Sequence, residues 1–168
     1  MYKQLSNIIA EDFFFVWRKY QGENLMSFFR EEDWHRIFPD VFSYERLVDF
    51  FSWSTGVAFV AYNKKTNTPF AFLYIYIEDA KKQVVSIHGG GWQHANHLLH
   101  YRSLFLMLEA LLSKNIKIHT SCIPNNFRAY RFLRSAGFIK YMQTENYIYF
   151  WLSAKKMRKS PIYQKFIN

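Results

Sequence analysis

Six histidines and a single cysteine are the residues of this 168-residue chain most able to hold metals or move protons. His94, His97 and His100 recur at steps of three, so on a helix their ring nitrogens would share one face, as a divalent metal requires. No carboxylate accompanies them, and Gln93-His94-Ala95-Asn96-His97 follows three glycines as a loop would, so no metal site is expected. His88 ends a β-rich run, where it is either satisfied by backbone or poised to exchange a proton near neutrality. Cys122, standing alone, excludes an intrachain disulfide and a Cys-only zinc site, and it fits a reducing, cytoplasmic setting. Lys and Arg number 22 against 13 Asp and Glu, a net charge of +9 that favours anionic partners: nucleotides, nucleic acid or lipid headgroups. Lys155, Lys156, Arg158, Lys159 and Lys165 gather at the end, which reads as a solvated basic terminus or, with its interspersed Tyr and Phe, as a nucleic-acid contact. No apolar run approaches the roughly 20 residues of a spanning helix, and Met1-Tyr2-Lys3-Gln4-Leu5-Ser6 opens no signal-peptide core, so no membrane is expected.

The elements that must position these groups form one expected domain over 1–168, with the basic tail from about 154; no repeat or linker divides it. Ala10 to Tyr20 is apolar along its length and is expected as a helix; Tyr44 to Phe51, opened by Ser43, is expected as a second. Trp34, Ile37 and Phe38 form an expected turn that Pro39 ends. From Gly56 the pattern becomes β-rich: Val57–Tyr62 and Phe70–Ile77 make a hairpin, and Gln83–His88 completes a meander before Gly89-Gly90-Gly91, expected as a bulge or turn. Tyr101, Leu104, Phe105, Leu108, Leu111 and Leu112 then repeat at helical steps up to Asn115, and Ile116, Ile118, Thr120 and Cys122 alternate as a strand with one buried face. Asn126 caps a helix whose stripe is Ala129, Phe132, Leu133 and Ala136, and Gly137 supplies its left-handed end. Strands near Phe138–Met142 and Tyr147–Leu152 close the domain, and their exposed aromatics offer a surface for pairing two subunits as a homodimer.

This order, together with Asn126-Phe127-Arg128-Ala129-Tyr130-Arg131-Phe132-Leu133-Arg134-Ser135-Ala136-Gly137-Phe138, resembles the GCN5-related N-acetyltransferases over about the last two-thirds of the chain. The resemblance implies an α/β (α+β) fold with a mixed, mostly antiparallel central sheet flanked by helices. It implies acetyl transfer from acetyl-coenzyme A, as co-substrate, to an amine acceptor by direct attack. The coenzyme would lie in a V-shaped split between the strand ending near His88 and the strand ending near Cys122, with its pyrophosphate on the start of the long helix. His100, Tyr101, Arg102, Ser103 and Leu104 are then the expected coenzyme contacts on one side, and Asn126, Arg128 and Arg131 on the other. His88 is the expected base that takes the proton from the amine, with Glu78 and His119 as secondary choices.

Two departures accompany the resemblance. The family's pyrophosphate signature is an Arg or Gln followed, two residues later, by Gly-x-Gly or Gly-x-Ala; aligned from the better-matched helix, those positions fall on Leu99-His100-Tyr101-Arg102-Ser103-Leu104, without glycine. The tyrosine that protonates the leaving thiolate in many members is replaced by Leu133, and Tyr130, one turn earlier, is the expected substitute. The same departures admit a second reading: an acetyltransferase-like fold without activity that binds nucleic acid or protein.

Overall fold

The computed structural model describes residues 1, 5, 7–20, 26–28, 44–52, 56–92 and 96–167. The sequence expectation for Ala10–Tyr20 is corrected, because it contains no helix: β1 (Phe15–Tyr20) is a strand, with Phe15 and Trp17 buried and Arg18 and Lys19 exposed. Asp12 forces the turn before it by accepting the backbone N–H groups of Phe14 (2.7 Å) and Phe15 (3.0 Å). After a short 3-10 turn at Met26–Phe28 comes α1 (Tyr44–Phe51), as expected; the turn expected at Trp34–Pro39 lies outside the described residues.

β2 (Gly56–Asn63), β3 (Pro69–Asp79) and β4 (Val84–Gly91) form the meander. The three glycines are strand rather than bulge or turn: Gly89, Gly90 and Gly91 pair with Leu73, Phe72 and Ala71. A side chain at Gly89 would lie 2.8 Å from Leu73 Cδ1, so close packing explains a residue that otherwise weakens strands. α2 (His97–Leu112) carries the chain back across the sheet, and Asn115, at φ 57°, turns it into β5 (Lys117–Cys122). That crossover makes β4 and β5 parallel neighbours in a sheet otherwise antiparallel. α3 (Phe127–Ser135), β6 (Phe138–Gln143) and β7 (Ile148–Leu152) follow, giving the order β1-β2-β3-β4-β5-β7-β6.

Both sheet faces are covered. On one, α1 lays Phe50 and Phe51 against Ala58, Val60, Phe72 and Tyr74; on the other, α2 and α3 pack Phe105, Leu108, Leu111 and Leu133 on Val57, Phe59, Leu73, Val85 and Ile118. The basic end is not a solvated tail. Ser153 caps α4 (Ala154–Lys159), and α5 (Pro161–Ile167) starts on a proline, the residue best suited to a first helical position. Met157 is fully buried, Arg158 grips both carboxylate oxygens of Glu109 on α2 at 2.8 and 2.6 Å, and the Tyr163 hydroxyl donates to the same carboxylate. Gly137, at φ +97°, lets α4 approach so closely that a Cβ there would lie 2.3 Å from the Met157 nitrogen. No helix among the described residues is long and apolar enough to cross a membrane.

Candidate active site

The feature around which a site can form is the parting of β4 from β5. Their ladder runs from Val84 and Lys117 to Ser86 and His119, and there it ends. Beyond that point β4 stays with β3 as far as Gly91, while β5 stays with β7 as far as Cys122. One side chain spans the opening: the Thr120 hydroxyl donates to the Ile87 carbonyl at 2.9 Å. The result is a V whose vertex is the Ser86–His119 pair and whose arms offer backbone edges to an extended ligand carrying amides.

α2 begins at the mouth of this V. Asn96 caps it by accepting the Leu98 N–H at 2.9 Å, and the first helical residue is His97. The helix start is thus Asn96–Leu99, about one turn earlier than the expected window of Leu99 to Leu104.

The shift relocates most of the expected coenzyme contacts. His100 is packed beneath the end of β4, where a Cβ on Gly91 would sit 2.6 Å from its Nδ1. Burial first, then the charges of His97 and Arg128, push its pKa down to about 4, so it is neutral at physiological pH and offers phosphate no charge. Tyr101 is stacked between His100 (5.6 Å) and Phe132 of α3 (5.3 Å), which fixes the spacing of the two helices flanking the V. Arg102 points away from it: Nε donates to Asp12 at 2.6 Å and Nη1 to the Phe166 carbonyl at 2.9 Å, tying β1's turn to the C-terminal helix. Ser103 is fully buried, its hydroxyl donating to the His100 carbonyl and its own carbonyl accepting the Trp17 indole N–H. Leu104 packs half-buried on the core. On the far side Asn126 caps α3 through the Ala129 N–H at 3.0 Å, and Arg128 and Arg131 are exposed. Arg128, in the first turn of α3, carries an exposed guanidinium whose charge is the smallest of the causes that lower His100.

The proton-handling residues divide between the two faces. Tyr130, half-buried on the α3 side, meets Phe150 edge-on at 5.7 Å. His88 lies on the α1 side, stacked on Tyr76 at 5.9 Å and edge-on to Phe50 at 5.2 Å. Also on the α1 side, at the vertex, the structure joins three residues. The Glu78 carboxylate accepts from the Ser86 hydroxyl and lies 2.9 Å from His119 Nδ1. Ser86 was absent from the sequence reading and Glu78 and His119 were only secondary there; strand register, not spacing along the chain, brings them together.

No family model and no curated protein sequence matches the chain. Solved structures do. A GCN5-related N-acetyltransferase from Brucella melitensis superposes with a TM-score of 0.68 at 15% identity, covering 94% of this chain and 83% of that one. FdhC, a nucleotide-linked sugar acetyltransferase of the same fold family, gives 0.64 at 14% over 96% and 99%. The PaiA N-acetyltransferase from Thermoplasma acidophilum, solved with coenzyme A, gives 0.60 at 12% over 83% and 98%. The chain therefore has the fold of the GCN5-related N-acetyltransferases, a mixed and mostly antiparallel sheet flanked by helices.

Proposed function

We propose that this chain is an N-acetyltransferase that moves an acetyl group from acetyl-coenzyme A to an amine by direct attack. The observation that carries the reading is the V itself: a parallel strand pair that separates after Ser86 and His119, with a capped helix start at its mouth. The likeness to a solved acetyltransferase holding coenzyme A supports the same ligand here.

The residues present fit such a co-substrate, in a different distribution from the sequence expectation. The open edges beyond the Thr120–Ile87 bond, His88–Gly91 and Ser121–Cys122, suit the two pantetheine amides. The first-turn N–H groups of α2 and the Arg128 guanidinium suit the pyrophosphate, with Arg131 one helical turn further along α3. Asn126 serves by holding the start of α3, and with it Arg128, in place. We assign Arg102, Ser103 and Leu104 to the scaffold beneath this site, and His100 and Tyr101 to the wall that sets its width. Tyr130 is the proton donor for the leaving sulfur: its phenol is half-buried, and none of the hydrogen bonds among the described residues involves it. His88, stacked on Tyr76, lines the acceptor's approach on the α1 face.

The test is release of free coenzyme A thiol from acetyl-coenzyme A in the presence of a polyamine, an amino sugar and an N-terminal alanine peptide, each checked for a gain of one acetyl mass. Amine-dependent thiol release with matching acetylated product supports the proposal. Acetyl-coenzyme A left intact beside all three amines overturns it and leaves a non-catalytic binding protein on this scaffold.

A further inference from the structure

Acyl transfer to an amine needs a proton acceptor, because aliphatic amines are mostly ammonium at neutral pH and an ammonium has no lone pair to attack with. His88 was the sequence choice, but its ring is stacked on Tyr76 and flanked by Phe50. The vertex offers a better-organised group. The Glu78 carboxylate only accepts hydrogen bonds, so His119 Nδ1, 2.9 Å away, must be the donor in that contact. This fixes the ring as the Nδ1–H tautomer and leaves Nε2 as the basic atom. Ser86, 4% exposed, donates to the other carboxylate oxygen and holds Glu78 in place. The pair stays open to solvent, with the His119 side chain 26% and Glu78 34% exposed, so an acceptor can reach it. Among the described residues, Tyr141 from β6 lies 5.5 Å from the His119 ring, Tyr76 from β3 and Tyr141 lie within electrostatic reach of the Glu78 carboxylate, and Tyr149 from β7 and His88 from β4 flank those two phenols. Burial foremost, with the Glu78 carboxylate adding, raises the Tyr76 and Tyr141 phenols, so both remain neutral. Neutral aromatic rings around one carboxylate form a surface that attracts a cation.

We infer that Glu78 and His119 form a carboxylate–imidazole pair that deprotonates a cationic amine acceptor at the vertex of the V, with Ser86 as positioning residue. The inference rests on the acetyl-transfer reading. His119 Nε2 takes one proton from the acceptor's ammonium, and the resulting imidazolium is stabilised by Glu78. The freed nitrogen lone pair forms the C–N bond to the acetyl carbon, the C–S bond breaks with its electron pair kept by sulfur, and Tyr130 gives a proton to the thiolate and regains one from solvent. The nitrogen's second proton passes to solvent.

Two measurements test this. In the free protein, nitrogen-15 histidine spectra above the imidazole pKa should show His119 as Nδ1–H, and Glu78→Gln should change the tautomer balance; a wild-type His119 found mainly as Nε2–H overturns the pair. With the fastest acceptor from the amine panel, His119→Ala and the milder His119→Asn should each lower kcat/KM at least about 100-fold at pH 7, the range of general base catalysis, and leave acetyl-coenzyme A affinity within about twofold. The wild-type ionisation limb should vanish in both, with activity regained towards the pH at which the amine itself deprotonates. Ser86→Ala should lower kcat with KM little changed. A limb kept in the His119 variants and lost in His88→Gln overturns the base assignment alone. A wild type that releases no thiol with any amine overturns the acetyl-transfer reading and this inference with it.

Discussion

Arg102 separates the sequence expectation from the structure most sharply, because the one places it on coenzyme phosphates and the other in a clamp. Consider Arg102→Met, which keeps the stem and removes the guanidinium. The native group makes a 2.6 Å charge-assisted bond to Asp12 and a 2.9 Å bond to the Phe166 carbonyl. Hydrogen bonds involving a charged group contribute about 1.5–3 kcal/mol, and the lower end applies because the Arg102 side chain is one-third exposed. Asp12 is not orphaned by the change, since the N–H groups of Phe14 and Phe15 still bind it, so no full desolvation penalty is added. About 1.5 kcal/mol for the ion pair and about 1 kcal/mol for the carbonyl bond give ~2.5 kcal/mol. At ~2–4 °C per kcal/mol for a domain of this size, that is a fall in Tm of ~5–10 °C. Thermal unfolding followed by circular dichroism reads the loss, and Asp12→Asn combined with it should give less than the sum of the two single effects. Calorimetric titration with acetyl-coenzyme A should find affinity within about twofold of wild type. A Tm within about 1 °C of wild type, together with affinity at least about tenfold weaker, would refute the clamp and return Arg102 to the phosphates.

Gly137→Ala should destabilise by at least about 2 kcal/mol, because alanine costs about 1–2 kcal/mol at φ +97° and its Cβ meets the α4 backbone besides; denaturant unfolding checks it. His100, with its folded pKa of about 4 against an ordinary 6.5, should cost stability as pH falls through that interval, since the unfolded chain binds the proton first. The full difference is about 3 kcal/mol, and histidine proton spectra should show no His100 titration between about pH 5.5 and 8. Arg128→Ala should weaken acetyl-coenzyme A binding about three- to tenfold and flatten its dependence on salt, while Asn126→Ala, by removing a cap, should cost about 1 kcal/mol of stability; calorimetry and thermal unfolding separate the two.

Much of the scaffold is written in local chemistry. Asn126 and Gly137 bracket α3, Asn115 turns the chain into β5, and Ile118, Thr120 and Cys122 alternate along it; each is a short-range signal that the structure repeats. β1 escaped because Phe13 and Phe14, both exposed, precede Phe15 and Trp17 and hide their period-two burial inside an unbroken apolar run. Only pairing with β2, some 40 residues away in sequence, selects the strand. The basic end looked like a solvated tail by charge, although Ser153 as a cap and Pro161 at a first helical position were there to be read. The site was the least legible part. The start of α2 depends on which polar residue caps it, and Asn96 moves the mouth of the V by a turn relative to a motif alignment. The Glu78–His119 contact joins residues 41 apart through two strand registers, and no spacing rule along the chain contains that information.

The most direct test of the coenzyme site is backbone amide shift mapping of the nitrogen-15-labelled protein during titration with acetyl-coenzyme A. The largest shifts are expected at Ile87–Gly91, at Asn96–Leu99, in Thr120–Cys122 and at Arg128, saturating together as a single site. Shifts confined to the basic surface of Lys155, Lys156 and Lys159, or none at millimolar ligand, would contradict it.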